Sequence, residues 1–442
     1  MFRNGLCFFS GLMLIFVFSC EKPSEEWKTE IDDTQFLIHS VTQLTDVLIH
    51  DIFSPPVASR VYAYPSIAAY ECARYLDGNY KTLARQLNGL ESLPVPDTTK
   101  EYAYQVSALY AFHLVGKKLI FSEELMTDFL ATQDSVLLEI GIPDAVYNRS
   151  RAFGEAMAQA ILAWADKDNY KETRSAPKYT VRKDPARWIP TPPAYIEGIE
   201  PDWRNIRPFV LDSAQQFKPP VPTEFNSQKG SRFYEETMEV YNAVAKGEPE
   251  HVEIAKFWDC NPYVVNVTGH VMLATKKITP GGHWMEIVSI ANTKANANFV
   301  KASEAYALTA ISLADAFISC WDEKYRSNVV RPETVINEYI DEKWKPLLQT
   351  PPFPEYTSGH SVISRSAAVC LTHIYGDDFS FHDDSEMKFG LPARDFISFF
   401  AASEEAAVSR LYGGIHYRPA IEFGIKQGEK IGLYIAETVH TH

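Results

Sequence analysis

Cysteine is scarce in this chain of 442 residues. Six occur, and two of them, Cys7 and Cys20, fall within the first twenty positions. Cys72, Cys260, Cys320 and Cys370 lie far apart and form no C-x-x-C pair. That excludes a zinc site built on cysteine pairs and leaves buried thiols, with a disulfide open only in an oxidising compartment. Positive charge is also short. Lys and Arg number 42 against 57 Asp and Glu, a formal charge of −15. A general electrostatic grip on nucleic acid or on an anionic lipid surface is therefore excluded, whereas a small cationic pocket is not. Past the N-terminus no apolar run is long enough to span a bilayer. Period-two alternation is rare, and there is no internal repeat, heptad series or low-complexity tract. Phosphate-binding glycine loops, nucleophilic serine elbows and zinc-protease motifs are missing as well.

What remains has ordinary globular composition, 46% hydrophobic and 22% charged, which argues against disorder. The length suits two or three compact units. Residues 1–20 place Arg3 before an apolar stretch that ends in V-F-S-C, followed at once by polar Glu21, Lys22 and Pro23. This is a secretory signal resembling a bacterial lipobox. It implies cleavage before Cys20, acylation of the Cys20 thiol, and an exported protein tethered to the bacterial membrane on its periplasmic or cell-surface side.

The mature chain reads as all-α. Helical spacing predicts segments near 34–50, 57–76, 100–117, 122–138 and 146–166, then 231–246, 249–259, 296–325, 359–375, 393–412 and 419–438. Residues 170–230 differ. They are crowded with proline from Pro177 to Pro222 and carry Trp188 and Trp203, so they predict a long irregular crossing packed on the bundle surface. The expected organisation is a signal at 1–19, an N-terminal helical region at 20–169, the crossing at 170–230 and a C-terminal helical domain at 231–442.

Three short segments of that last region carry the chemistry. In the first, Lys324 and Arg331 are two helical turns apart and can project from one face, while Pro332 sets Arg331 at or just beyond a helix end. Two such cations repel unless an anion or solvent lies between them. In the second, Thr357 or Ser358 caps a helix, Gly359 allows close backbone approach, and His360 sits in the first turn, where free N–H groups favour phosphate-like anions. In the third, Arg410 and His416 flank Gly413-Gly414, which permits a tight turn between them. Each segment alone has a bland explanation as a helix end or corner. Together they offer three cations, two histidines and backbone donors suited to a tetrahedral or trigonal-bipyramidal oxyanion, with no carboxylate cluster for calcium or magnesium.

These residues follow Lys-x6-Arg-Pro, Pro-Ser-Gly-His (here Thr-Ser-Gly-His) and Ser-Arg-x3-Gly-x-His, in order, within 324–416. On that pattern the chain closely resembles the superfamily of vanadium-dependent haloperoxidases and type 2 phosphatidic acid phosphatases. The segments 50–64 and 257–262 resemble its secreted bacterial haloperoxidase branch. The resemblance implies a helical-bundle fold. It also implies that Lys324, Arg331, Arg410, Ser358 and the Gly359 backbone bind the oxygens of vanadate or phosphate, and that His360 is the acid–base residue. His416 would be the vanadium ligand or, in a phosphatase, the nucleophile that becomes phosphohistidine. Trp321 and Phe353 look like the aromatic lining near the oxyanion in chloride-oxidising members, or else belong to the bundle core. His283, in a Gly281-Gly282-His283-Trp284 loop, either lines the pocket or covers the bundle.

Two positions depart from the pattern. Thr357 stands where proline is usual, and Ala420 stands where the family commonly has an aspartate that orients the second histidine. Glu422 is the acidic residue nearest in sequence to take that role. The preferred reading is a haloperoxidase that oxidises halide with peroxide on bound vanadate. The alternative is a phosphatase without cofactor acting on a phosphoester. A third reading is a non-enzymatic surface lipoprotein that binds a glycan or nutrient. Asp377, Asp378, His382, Asp383 and Asp384 form an acidic cluster, read as a solvated turn rather than a calcium site.

Overall fold

A computed structural model describes residues 25–268, 271–274 and 276–442. The signal segment and Cys20 lie outside the described residues. The first half contains α1 (Trp27–Glu30), α2 (Gln35–His50), α3 (Pro55–Ala73), α4 (Tyr104–Lys118), α5 (Glu123–Glu139), α6 (Asp144–Ala165) and α7 (Tyr170–Ser175). The second contains α8 (Arg232–Lys246), α9 (Pro249–Phe257), α10 (Pro280–Lys294), α11 (Phe299–Ser327), α12 (Pro332–Tyr339), α13 (Gly359–Tyr375), α14 (Phe399–Tyr412) and α15 (Arg418–Thr438). Two antiparallel hairpins complete it: β1 (Val265–Thr268) with β2 (Val271–Ala274), and β3 (Phe381–Asp383) with β4 (Arg394–Phe396).

The all-α expectation holds, and most of the expected helices appear within a few residues of their predicted bounds. Their ends follow local chemistry. Ser54 caps α3, and Pro55 and Pro56 occupy its first turn, where their missing N–H groups cost nothing. Asn298 caps α11, and Asn328 closes it in a left-handed conformation with φ of 50°. Four helices were not expected, the short α1 and α7 and, closer to the site, α10 and α12. α10 begins at Pro280 and swallows the Gly281-Gly282 pair that suggests a loop, because the Thr279 hydroxyl caps it by accepting from Gly282 N–H. α12 starts at Pro332, directly after Arg331.

α3 is buried along its full length, as a helix of small and apolar residues on all faces must be. It packs on α4, α6 and α11. α11 in turn packs on α13, α10 and α15, so α3 and α11 form the spine joining the two halves. One hydrophobic core runs from Trp27 to Val439 through that spine. α13 and α15 approach closely because Gly424, Gly428 and Gly432 face α13. A Cβ on Gly428 would lie 2.1 Å from the Val362 carbonyl oxygen.

Residues 170–175 of the proline-rich crossing form α7, and the rest is irregular apart from a 3-10 turn at Trp203–Asn205, but the crossing is not only a surface layer. Trp188 and Trp203 are fully buried. Asp315 on α11 accepts three backbone N–H groups, from Phe209, Val210 and Leu211, and so pins the crossing to the spine. Further along, Ile199 O accepts from Trp321 Nε1 at 3.2 Å and from the Tyr325 hydroxyl at 2.5 Å, which closes the crossing over the end of α11.

Candidate active site

Five basic side chains from separate segments meet at one end of the α11–α13–α14 group. Lys324 occupies the last turn of α11. Arg331 is the N-cap residue of α12, held extended at ψ of 150° by Pro332 behind it. Ser358, rather than Thr357, caps α13 by accepting from Ser361 N–H, which puts Gly359 and His360 in its first turn. Arg410 lies in the last turn of α14. The chain then reverses through Gly413 and Gly414, the latter at φ of 77°, and delivers His416 just before α15. A Cβ on Gly414 would also lie 2.7 Å from Val244 Cγ2, so no larger residue fits this turn.

His360, Arg410, His416, Gly359, Trp321 and Phe353 line a common cavity, together with Pro55, Cys260, Phe317 and Ile415. Arg331, Lys324 and Ser358 do not line it; Arg331 lies directly behind the lining, bonded to Phe353, Ile415 and His416. Arg331 donates from Nε to Phe353 O at 2.9 Å and from Nη1 to Ile415 O at 2.8 Å, and its Nη1 is 3.1 Å from His416 Nε2. Its Nη2 is buried with no hydrogen-bond partner. Arg410 donates to Ser409 Oγ at 2.9 Å and to Trp258 O at 2.7 Å. Lys324 donates to the carbonyls of Pro354 and Glu355, each at 3.1 Å, and of Thr357 at 2.5 Å. Its ammonium is thus spent on the backbone of the 354–357 segment. It supplies charge and fixes that segment, while Arg331 and Arg410 hold donors nearer the cavity.

Burial makes these charges costly. It pushes the Lys324 ammonium down to about 8 and Arg331 down to about 10, and it lowers Arg410. Both imidazoles are driven well below their usual value. Burial is the main cause, followed for His416 by the Arg331 charge and for His360 by the Arg410 charge. Three buried cations with two neutral histidines make a pocket short of negative charge, and an anion relieves that deficit. The orphaned Arg331 Nη2 and the equally orphaned His360 Nε2 are the donor or acceptor positions such a guest would satisfy.

The family's missing aspartate has a replacement that the sequence did not expose. Ala420 is buried and apolar, and its carbonyl accepts from Ser358 N–H. Glu422 is exposed and does not serve. Instead Glu355, from the segment before α13, places Oε1 2.8 Å from His416 Nδ1 and 3.0 Å from Tyr417 N. Burial raises the Glu355 carboxyl to about 7, against the opposing pull of Arg331 and Lys324. The contact fixes the tautomer. With Nδ1–H donated to Glu355, Nε2 keeps its lone pair beside Arg331. The sequence signal was slight: one acid two residues before Thr357, on a loop whose path only the fold reveals.

The Trp321 and Phe353 rings are tilted at 53° with centroids 4.9 Å apart, and they sit 5.7 and 5.0 Å from the Lys324 ammonium. They line the cavity and belong to the core at once. His283 needs correction. It is not in a loop and does not line the cavity. It sits in the first turn of α10, fully buried, bonded to Asp383 at 2.8 Å and stacked 4.6 Å from Trp258. The acidic turn is likewise only partly solvated. Asp377, Asp378, His382 and Asp384 are exposed, but Asp383 is buried against His283.

Comparisons with known proteins identify the fold and the family. A family model described as the VCPO second helical-bundle domain matches residues 304–442, which hold all five basic residues. A solved structure described as the first bacterial vanadium-dependent iodoperoxidase is 52% identical, with a TM-score of 0.87, covering 92% of this chain and 97% of that one. Holo and apo structures of a bacterial vanadium-dependent chloroperoxidase share the fold at 17% and 16% identity, both with a TM-score of 0.63. They cover 88% and 87% of this chain, and 93% and 94% of theirs. No curated protein matches the chain.

Proposed function

The chain belongs to the vanadium-dependent haloperoxidase family, and from that premise we propose that it oxidises iodide with hydrogen peroxide. Vanadate, when bound, supplies an electrophilic centre that activates peroxide toward halide. The residues present suit it. His416 offers an Nε2 lone pair, Lys324, Arg331 and Arg410 supply positive charge, and Ser358 and Gly359 open the N-terminus of α13 toward the cavity. The observation that carries the reading is His416, whose Nδ1 is tied to Glu355 while its Nε2 is set among buried cations.

The other steps fall to the chain's own groups. Reduction of peroxide to water takes up a proton as iodide gives up two electrons. His360, its Nε2 buried and unpartnered in the cavity lining, is the group placed to move that proton. Phe317, Trp321, Phe353 and Ile415 give the cavity an apolar lining that suits a weakly hydrated halide, and the choice of iodide rests on the 52% identity to the iodoperoxidase. The N-terminal segment ending in V-F-S-C supports export and a lipid anchor at Cys20.

The test pairs two incubations: protein with vanadate, peroxide and iodide, and protein without vanadate on a phosphomonoester. Iodination of an organic acceptor in the first is expected. Phosphoester hydrolysis in the second, with no iodination in the first, would favour the phosphatase reading instead.

A further inference from the structure

Beside the oxyanion cavity a second set of side chains converges, none of which the proposed peroxide chemistry uses. Cys260 follows α9, His283 lies in the first turn of α10, and Glu386 lies in the short 3-10 turn Ser385–Phe389. All three are buried, with side chains of different elements turned toward one point. His283 Nδ1 is 3.5 Å from Cys260 Sγ and 3.4 Å from Glu386 Oε1. The second separation is too long for a strong N–H···O bond, and Glu386 Oε1 has no hydrogen-bond partner although the residue is only 4% exposed. The sulfur, nitrogen and carboxylate oxygen all lie within 4.8 Å of one another.

The two spacings from Nδ1 are what a small cation requires. Zinc holds sulfur at about 2.3 Å and nitrogen or carboxylate oxygen at about 2.0–2.2 Å, so neighbouring ligand atoms of a tetrahedron stand roughly 3.3–3.6 Å apart. Both separations from Nδ1 already fall there. The opposite ring nitrogen, Nε2, is 2.8 Å from Asp383 Oδ2, the carboxylate–imidazole pairing that leaves Nδ1 for an ion and fixes the ring. We propose that Cys260, His283 and Glu386 form a binding site for a divalent cation of the zinc type, with Asp383 orienting His283. The thiolate selects against calcium and magnesium. Cys260 lines the oxyanion cavity, so the cavity is the route of entry and a water there completes the fourth position. The ion would tie α10 and the Ser385–Phe389 turn to the 258–260 segment, whose Trp258 carbonyl holds Arg410. None of this rests on vanadate binding.

Cobalt is the probe, because a cobalt–thiolate bond absorbs in the near ultraviolet and tetrahedral cobalt absorbs strongly in the visible. The full chain is stripped with chelator under reducing conditions and titrated with Co2+, with circular dichroism to confirm the fold. Both bands should appear and saturate at one ion per chain, and zinc should abolish them. Cys260→Ser should lose the near-ultraviolet band, Asp383→Asn should bind about 10–100-fold more weakly, and His416→Ala should behave as the parent. Folded parent protein showing no band in excess cobalt would overturn the site without recourse to any variant. So would a near-ultraviolet band that survives in Cys260→Ser, or one lost in His416→Ala.

Discussion

Glu355 is the sharpest test of how this pocket works. Its Oε1 receives two buried donors, His416 Nδ1–H and Tyr417 N–H, at 2.8 and 3.0 Å. Glu355→Ala leaves both unpaired, and each such group costs about 1–3 kcal/mol. It also frees the His416 ring, and loss of an orienting carboxylate typically weakens ligation by about 10–100-fold. Glu355→Gln keeps the size and one acceptor but removes the charge, so it separates folding from orientation. The expected result is a lower melting temperature for Glu355→Ala with vanadate affinity down by about 10–100-fold, and a smaller loss for Glu355→Gln with nearly parental stability. Equilibrium dialysis against vanadate, read beside thermal unfolding, measures both. Folded variants that retain vanadate as tightly as the parent would refute the positioning role and leave His416 held by Arg331 alone.

Other perturbations test neighbouring parts. His416→Ala should abolish tight vanadate retention, while His360→Ala should slow iodide oxidation with retention largely kept; dialysis and a turnover assay separate the two. The charge on Lys324 is buried, and its pKa falls to about 8 from 10.5. Between those values the unfolded chain binds more protons, so the parent gains stability as pH rises through that window, and the cost below it is about 3 kcal/mol. In urea denaturation the stability of Lys324→Met relative to the vanadate-free parent should therefore fall by up to about 3 kcal/mol from pH 7 to pH 10, on top of the pH-independent loss of three hydrogen bonds to the 354–357 carbonyls, and a wholly pH-independent difference would contradict this. Gly428→Ala should destabilise by about 1–3 kcal/mol, because its new Cβ would collide with the Val362 carbonyl and push α13 away; an unchanged melting temperature would show that the α13–α15 contact is loose.

The helices were legible because their signals are local. Ser54-Pro55-Pro56 starts α3, Asn298 starts α11, and apolar residues at helical spacing mark what lies between. α10 was missed because Gly281-Gly282 reads as a break when isolated, whereas in the fold its N-terminus is capped by Thr279 and packed against Tyr62 and Ile278. The acidic turn was misjudged for a related reason. Nothing in the local sequence tells Asp383 from Asp384, yet one is buried on His283, a hundred residues distant, and the other is exposed.

By itself the sequence singled out the groups proposed to surround the oxyanion: Lys324, Arg331, Ser358, Gly359, His360, Arg410 and His416 stand at fixed spacings around prolines and glycines that dictate local backbone geometry. Only the tertiary structure decided which carboxylate orients His416, that the Lys324 charge is spent on the 354–357 backbone, and that Cys260, His283 and Glu386 share one point. The physical reason is the range of each constraint. Caps, turns and helical period act over a few residues, whereas a buried charge takes whichever partner the packing of distant elements brings within about 3 Å.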